Sequence, residues 1–217
     1  LCIPARLIER LAHTDPSNED FKEAREAELR NIVDAEQETG VIEETERDMI
    51  QSVFGFHDRV VREVMIPRVD ITAVEISSSL SDLLHIIENK GHSRVPVFEE
   101  SLDNIRGIVY AKDLLKLLVH RNNLNLDIAI ADCIRKKNDD LNAEPFTHEP
   151  YYIPETKKID ELLRDLRTAK TRLAIIVDEY GGTAGLVTTE DLVEEIFGER
   201  QRFRLRLEQT CLFVPQL

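Results

Sequence analysis

The residues with the clearest chemical potential lie where an apolar run stops and a helical pattern begins. In Gly185-Leu186-Val187-Thr188-Thr189-Glu190-Asp191-Leu192, Asp191 follows Thr188 by three residues. A carboxylate at that step can accept hydrogen bonds from two adjacent ribose hydroxyls. Thr188 offers a hydroxyl beside the amides of a helix N-terminus, whose positive dipole character favours phosphate. Ser93 and Arg94 occupy a second apolar segment, and a guanidinium is a planar fork suited to phosphate oxygens. Ile71, Thr72, Val95 and Pro96 supply apolar surface and backbone groups of the kind that flank an adenine ring. Each residue also has a plain structural reading. Thr188 and Asp191 suit a helix cap, and Arg94 and Arg172 suit surface ion pairs with acidic helices, worth about 0–1 kcal/mol each.

The elements that must position these residues occur twice. Gly91-His92-Ser93-Arg94-Val95-Pro96-Val97-Phe98, followed by Gly107-Ile108-Val109-Tyr110-Ala111-Lys112-Asp113-Leu114, returns as Ala169-Lys170-Thr171-Arg172-Leu173-Ala174-Ile175-Ile176 and Gly185 to Leu192. A constant offset pairs Arg94 with Arg172, Gly107 with Gly185 and Asp113 with Asp191. Upstream it shifts by one, where Leu80, Leu83 and Leu84 match Ile159, Leu162 and Leu163. Each copy reads as an extended segment (69–74 or 151–153), an amphipathic helix, two strands and a final helix. The loop between the paired strands holds Asp103-Asn104 or Gly181-Gly182, pairs that tolerate the positive φ of a hairpin turn. The pattern predicts an α+β fold of two β-α-β-β-α repeats with pseudo-two-fold symmetry, preceded by a short acidic helical segment. Stacked repeats bury their apolar faces on each other, which places a ligand in the cleft between them.

The copies differ at the proposed site. Tyr110 and Lys112 stand where the second copy has Thr188 and Glu190. A tyrosine partly fills its cleft, so the Thr188/Asp191 cleft is expected to be the principal site. A second cleft, built from Tyr110, Asp113, Thr171 and Arg172, is expected to be weaker or empty. Glu190 is either a first-turn helix acid or a group that reaches a phosphate-bound magnesium ion.

Composition limits the remaining classes. The 217 residues are 42% hydrophobic and 32% charged, with a net charge of −14; such acidity argues against a nucleic-acid groove. Acidic residues dominate from Glu19 to Asp48. Asp15-Pro16 reads as the start of a helix ended by Gly40, and Glu43-Glu44 starts another. Cys2, Cys133 and Cys211 lack metal or redox spacing and read as free thiols. His13, His57, His85, His92, His120 and His148 show no zinc-ligand pattern. Gly181-Gly182-x-x-Gly185 lacks the lysine of a phosphate loop, and no nucleophile-base motif appears, so no enzyme activity is expected. No run reaches the length of a membrane helix, and no signal peptide is read. The chain opens Leu1-Cys2-Ile3-Pro4 without a methionine and reads as a piece of a longer protein. The expected parts are an acidic helical segment (1–60), repeat 1 (61–121), a polar linker (122–143), repeat 2 (144–200) and an extension of unassigned role (201–217).

The repeat unit resembles the CBS motif, and its tandem resembles a Bateman module. Met65-Ile66-Pro67-Arg68, His92-Ser93-Arg94-Val95-Pro96-Val97, Val177-Asp178-Glu179-Tyr180-Gly181-Gly182 and Gly185-Leu186-Val187-Thr188-x-Glu190-Asp191 together are similar to the cytosolic portion of the CorC/hemolysin-C proteins, relatives of the CNNM magnesium transporters. The resemblance runs from about Arg25 to Gly198. It implies binding of ATP, or of AMP or ADP, with Mg2+ carried on the phosphates rather than in a protein metal site, and adds His92 to the site. It also implies a homodimer through the CBS pair, coupling to a membrane domain that moves magnesium or cobalt, and a cytoplasmic location at the plasma membrane. Two other readings follow from the same residues: a dimerisation module without ligand, and a hemolysin-type accessory protein.

Overall fold

The computed structural model describes residues 18–120, 125–139 and 146–197. The Asp15-Pro16 helix start, Cys2, His13, Cys211 and the extension 201–217 lie outside the described residues. The acidic segment forms α1 (Asn18–Glu38) and α2 (Glu44–Phe56). Gly40, at φ 78°, ends the first in a left-handed conformation that a Cβ disfavours. Glu43 and Glu46 close a capping box over the start of the second. Phe56 of α2 is buried in a core, whereas α1 leaves Phe21, Leu29 and Ile32 at least half exposed.

The expected extended run 69–74 is broken. Two short strands, β1 (Ile66–Pro67) and β2 (Val74–Glu75), flank a single 3-10 turn at Arg68–Asp70. Pro67 has no N–H to continue a ladder, so the chain turns there and changes sheet. After β2 come α3 (Leu80–Lys90), β3 (Arg94–Glu99), β4 (Ser101–Tyr110) and α4 (Ala111–His120). Repeat 2 has β5 (Tyr152–Pro154), α6 (Ile159–Ala169), β6 (Leu173–Val177), β7 (Thr183–Thr188) and α7 (Thr189–Phe197). Between the repeats, the expected polar linker contains α5 (Ile130–Asp139), which buries Ile130 completely in the first core. Ile130, Cys133 and Ile134 pack on that core from the first half of the helix, while positions 135–139 are all polar, a patch too short to read as a helix face.

In each repeat the first strand lies parallel to the second, and the second antiparallel to the third. The lead-ins cross over. β1 joins the sheet of repeat 2, with Ile66 opposite Leu186 and Pro67 opposite Gly185. Reciprocally, His148 ahead of repeat 2 pairs with Ile108 of β4 through two backbone hydrogen bonds of 2.9 Å. Both crossings demand glycine on the receiving strand. A Cβ on Gly185 would stand 2.5 Å from the Ile66 carbonyl oxygen, and one on Gly107 2.8 Å from Thr147 Cβ.

Side chains alternate faces along each strand, and three cores result. Val95, Val97 and Val109 pack under α3, α4 and α5 with Leu80, Leu83 and Leu114. Ala174, Ile176 and Val187 pack under α2, α6 and α7 with Leu162, Leu166 and Leu192. The opposite faces meet at Ile105, Ile108, Leu173, Ile175 and Leu186, which join sheet to sheet.

Strand register corrects the alignment of the copies. Val95 faces Val109 as Ala174 faces Val187, and Pro96 faces Ile108 as Ile175 faces Leu186. Arg94 therefore corresponds to Leu173, and Ser93 to Arg172. The left-handed residues that close α3 and α6, Gly91 (φ 69°) and Lys170 (φ 53°), give the same match. The one-residue change falls within the hairpin, where repeat 1 is longer, and not upstream of Arg94. A slip of one turns a strand side chain to the other face, so Arg94 and Arg172 are not symmetry mates. The positive φ of the first hairpin also falls on Glu100 (64°) and not on Asp103-Asn104. Asp103 is instead part of β4, drawn there by Arg68.

Candidate functional site

α7 starts directly from β7, and its first turn holds three of the expected residues. Thr188 caps the helix: its N–H and Oγ1 donate to Asp191 Oδ2 at 2.8 and 2.7 Å, and Asp191 N–H donates back to Thr188 Oγ1 at 3.3 Å. The plain cap reading of this pair is thus realised in the fold. Asp191 Oδ1 keeps capacity to accept, since all three bonds of the box run through Oδ2 and Thr188 Oγ1.

Across the interface, Arg94 at the start of β3 donates from Nη1 to Glu190 Oε1 at 3.2 Å. The Arg94 side chain is only 15% exposed, and its Nε is buried with no hydrogen-bond partner among the described residues. Burial pushes the Glu190 carboxyl up, but the Arg94 charge and hydrogen bonds from its own amide, Thr189 and Arg94 outweigh it and hold the group below the usual glutamate range. An arginine, an ionised glutamate and a capping aspartate thus gather at one helix N-terminus between the repeats. The sequence had suggested the acidic helices as partners for Arg94; the partner is Glu190.

The other expected residues divide. Ile71 packs in the sheet-to-sheet core with Leu186, two residues before Thr188 on the same face of β7. Thr72 follows it, half-buried. Pro96 is buried on the side facing that interface, whereas the Val95 side chain is withdrawn into the first core, which leaves only its backbone for a ligand. His92 and Ser93 are exposed in the turn before β3, and the Ser93 carbonyl accepts from Ala111 N–H at 2.9 Å.

In the second cleft, Tyr110 stacks on His148 with ring centroids 4.1 Å apart and planes 22° from parallel. His148 Nε2 lies 2.8 Å from Asp113 Oδ2, and Lys116 Nζ is 3.7 Å from Asp113 Oδ1. The Arg94 and Lys112 cations sit 5.6 and 5.4 Å from the Tyr110 centroid. Thr171 and Arg172 make no hydrogen bond or ion pair with Tyr110 or Asp113. They line, with Arg167, Lys170 and Thr189, an open depression of about 370 Å³ beside α7. His148 is the residue that sequence reasoning missed. The only signal for it was its place in the lead-in of repeat 2, matching Ile66 in repeat 1.

At the far end of the interface, the Arg68 guanidinium is bidentate on Asp103, with Nη2 to Oδ2 at 2.9 Å, and donates to the Thr183 carbonyl at 2.8 Å. Asp103 Oδ1 also accepts from Thr183 N–H at 2.8 Å, and Thr183 Oγ1 donates to the Leu102 carbonyl at 2.7 Å. This clasp ties both hairpins to the 3-10 turn that leads to Ile71. Among the described residues no group of three His, Cys, Asp or Glu could hold a metal ion, and no helix is long and apolar enough to cross a membrane.

The CBS-domain family model matches residues 61–120 and again 143–198. With two β-α-β-β-α units crossing their lead-ins, this makes the molecule a tandem CBS-domain protein. A solved CBS domain of a bacterial CNNM/CorC family Mg2+ transporter is 42% identical, with a TM-score of 0.66 over 80% of this chain and 96% of that one. A structure of such a domain in complex with ATP is 42% identical, with a TM-score of 0.59, covering 71% and 98%. The magnesium and cobalt efflux protein CorC of Escherichia coli strain K12 is 32% identical over 193 residues, 89% of this chain and 58% of that protein. The chain belongs to the CorC/CNNM family of CBS-domain proteins. It spans between 24% and 58% of the length of the curated relatives it matches.

Proposed function

We propose that this CBS pair is a regulatory adenine-nucleotide sensor of a magnesium or cobalt transport protein, with Mg-ATP as its ligand at the Thr188/Asp191 cleft. The observation that carries the reading is Arg94. It is mostly buried, spans the two repeats to reach α7, and keeps a buried Nε without a partner among the described residues. Such a guanidinium has an unfilled donor at a helix N-terminus, where phosphate is favoured. In this reading Asp191 Oδ1 accepts from the ribose, Ile71, Thr72 and Pro96 with the Val95 backbone flank the adenine, and His92 and Ser93 edge the opening. The ATP complex of a 42% identical domain supports it.

Magnesium fits as a companion of the phosphates, because Glu190 brings an ionised carboxylate beside them. When bound, the ion would supply the positive charge that the phosphates and Glu190 together call for. In this reading Arg94 orients the phosphates, because the amides of Thr188, Thr189, Glu190 and Asp191 already donate within the protein, and Glu190 sets the need for that charge. The module is read as binding without turnover, coupling nucleotide state to a membrane domain from the cytoplasmic side.

A second copy is the proposed partner. α4 leaves Leu115 and Val119 exposed, and α7 leaves Val193 and Phe197 partly exposed at the matching positions. Two pseudo-symmetry-related helices thus present the same i, i+4 apolar pair, which a second copy would cover with the same patch of its own. The nucleotide reading is tested by calorimetric titration of AMP, ADP and ATP with and without magnesium. Mg-ATP is expected to bind tightest, and Asp191→Ala to reduce affinity at least tenfold. Unchanged affinity in that variant removes the site, and steady ADP release would replace the sensor with an enzyme.

A further inference from the structure

We infer that the second cleft is occupied by the protein itself, with His148 as the built-in occupant that restricts the module to one nucleotide per chain. The inference rests on the nucleotide reading of the first cleft and names what sets its stoichiometry. Asp113 holds the place of Asp191, three residues after the last residue of the strand. Asp191 is satisfied by the Thr188 hydroxyl and amide. Tyr110, in the place of Thr188, has no short hydroxyl to cap with. His148 fills that need, placing Nε2 2.8 Å from Asp113 Oδ2 while its ring lies against Tyr110 at 4.1 Å. A flat ring is thus stacked on an aromatic face and hydrogen-bonded to the aspartate, the two contacts an incoming nucleoside would need.

The backbone holds this occupant in register with the first sheet. His148 exchanges two hydrogen bonds with Ile108, so its ring is delivered by a lead-in strand and not by a free loop. The matching residue in the other lead-in is Ile66, opposite Leu186, which has no polar group to offer Asp191. Repeat 1's lead-in is fastened elsewhere, through Arg68 to Asp103 and Thr183. The two lead-ins therefore differ in where they are pinned. One is pinned on the cleft aspartate, and the other is pinned at the far end, away from Asp191. Asp113, with its side chain 11% exposed, is correspondingly withdrawn from solvent.

Asp191→Ala removes the first cleft from the measurement, and His148→Ile with Tyr110→Thr gives the second cleft the helix cap and apolar lead-in of the first, with Arg94 and Lys112 remaining as the cations nearest position 110. Mg-ATP is titrated calorimetrically into the wild type, the Asp191→Ala variant and the triple variant, each checked for a cooperative melt. The expected stoichiometries per chain are one, none and one. A wild type that binds one and a triple variant that binds none overturns the inference and leaves the nucleotide reading standing. A wild type that binds none while the triple variant binds one does the reverse, and none in both discards both. If the triple variant does not melt cooperatively, Asp191→Ala with His148→Gln alone is titrated, and recovery or absence of one site decides in the same way.

Discussion

Asp103 shows how much one side chain can contribute when three segments converge on it. The bidentate hydrogen bonds of Arg68 come first, then the Thr183 amide, and together they hold its carboxyl at about 2, against an ordinary 3.8. A depressed carboxyl stabilises the fold above its ordinary value, and that contribution is lost as pH falls from about 4 towards 2. The Asp103 side chain is 45% exposed, so solvent screening limits the contribution to about 1 kcal/mol at most, and Asp103→Asn is expected to lower Tm at pH 7 by no more than about 2–4 °C. Thermal melts of the two proteins should converge as pH approaches 2. A constant gap from pH 7 to pH 2 would assign the effect to shape rather than charge. The sequence pointed to Asp103 as a turn former, because its partners are far away along the chain. The Thr188/Asp191 pair was legible because three-residue spacing is a local signature. His148 and Arg68 were not, since nothing near either residue names its partner.

Among the elements, the β-α-β-β-α grammar was legible in the sequence, because buried valines and isoleucines mark strands and spaced leucines mark helices. The pairing of the copies was misread by one residue in a single strand. Ser93-Arg94 and Thr171-Arg172 look alike, and chemical likeness drew them together although the backbone places Ser93 with Arg172. Two-residue strands such as β1 are too short to carry a period, so the crossing of the lead-ins was also invisible. Its trace is the glycine on each receiving strand. Gly185→Ala would force a methyl group against the Ile66 carbonyl, and overpacking of this kind costs about 1–3 kcal/mol. Hydrogen exchange should then show faster exchange at Leu186 and in the 3-10 turn, with the α3 amides unchanged. Protection retained at Leu186 would mean that β1 is dispensable to the second sheet.

For the whole molecule, pseudo-symmetry has two uses. Inward it joins the sheets, and outward it repeats an apolar pair on α4 and α7. Val119→Glu combined with Phe197→Glu should convert a dimer to a monomer in sedimentation velocity without lowering the helix signal. A wild type that sediments as a monomer at tens of micromolar would instead leave these faces without the second copy. The overall class was open to sequence reasoning because both copies lie in one chain and could be compared. The asymmetry of the clefts was half legible: Tyr110 marked it, and its stacking on His148 is visible only in the structure.

The crossed lead-ins also set an order in time. A chain leaves the ribosome from its N-terminus, and domains generally fold as units as they emerge. Here Ile66 and Pro67 emerge at the start of repeat 1, yet their sheet partners Leu186 and Gly185 lie near the end of repeat 2. Repeat 1 can collapse around its own core, but its lead-in must wait until β7 of repeat 2 has been made. A chain interrupted before β7 is made is left with β1 as an unpaired edge.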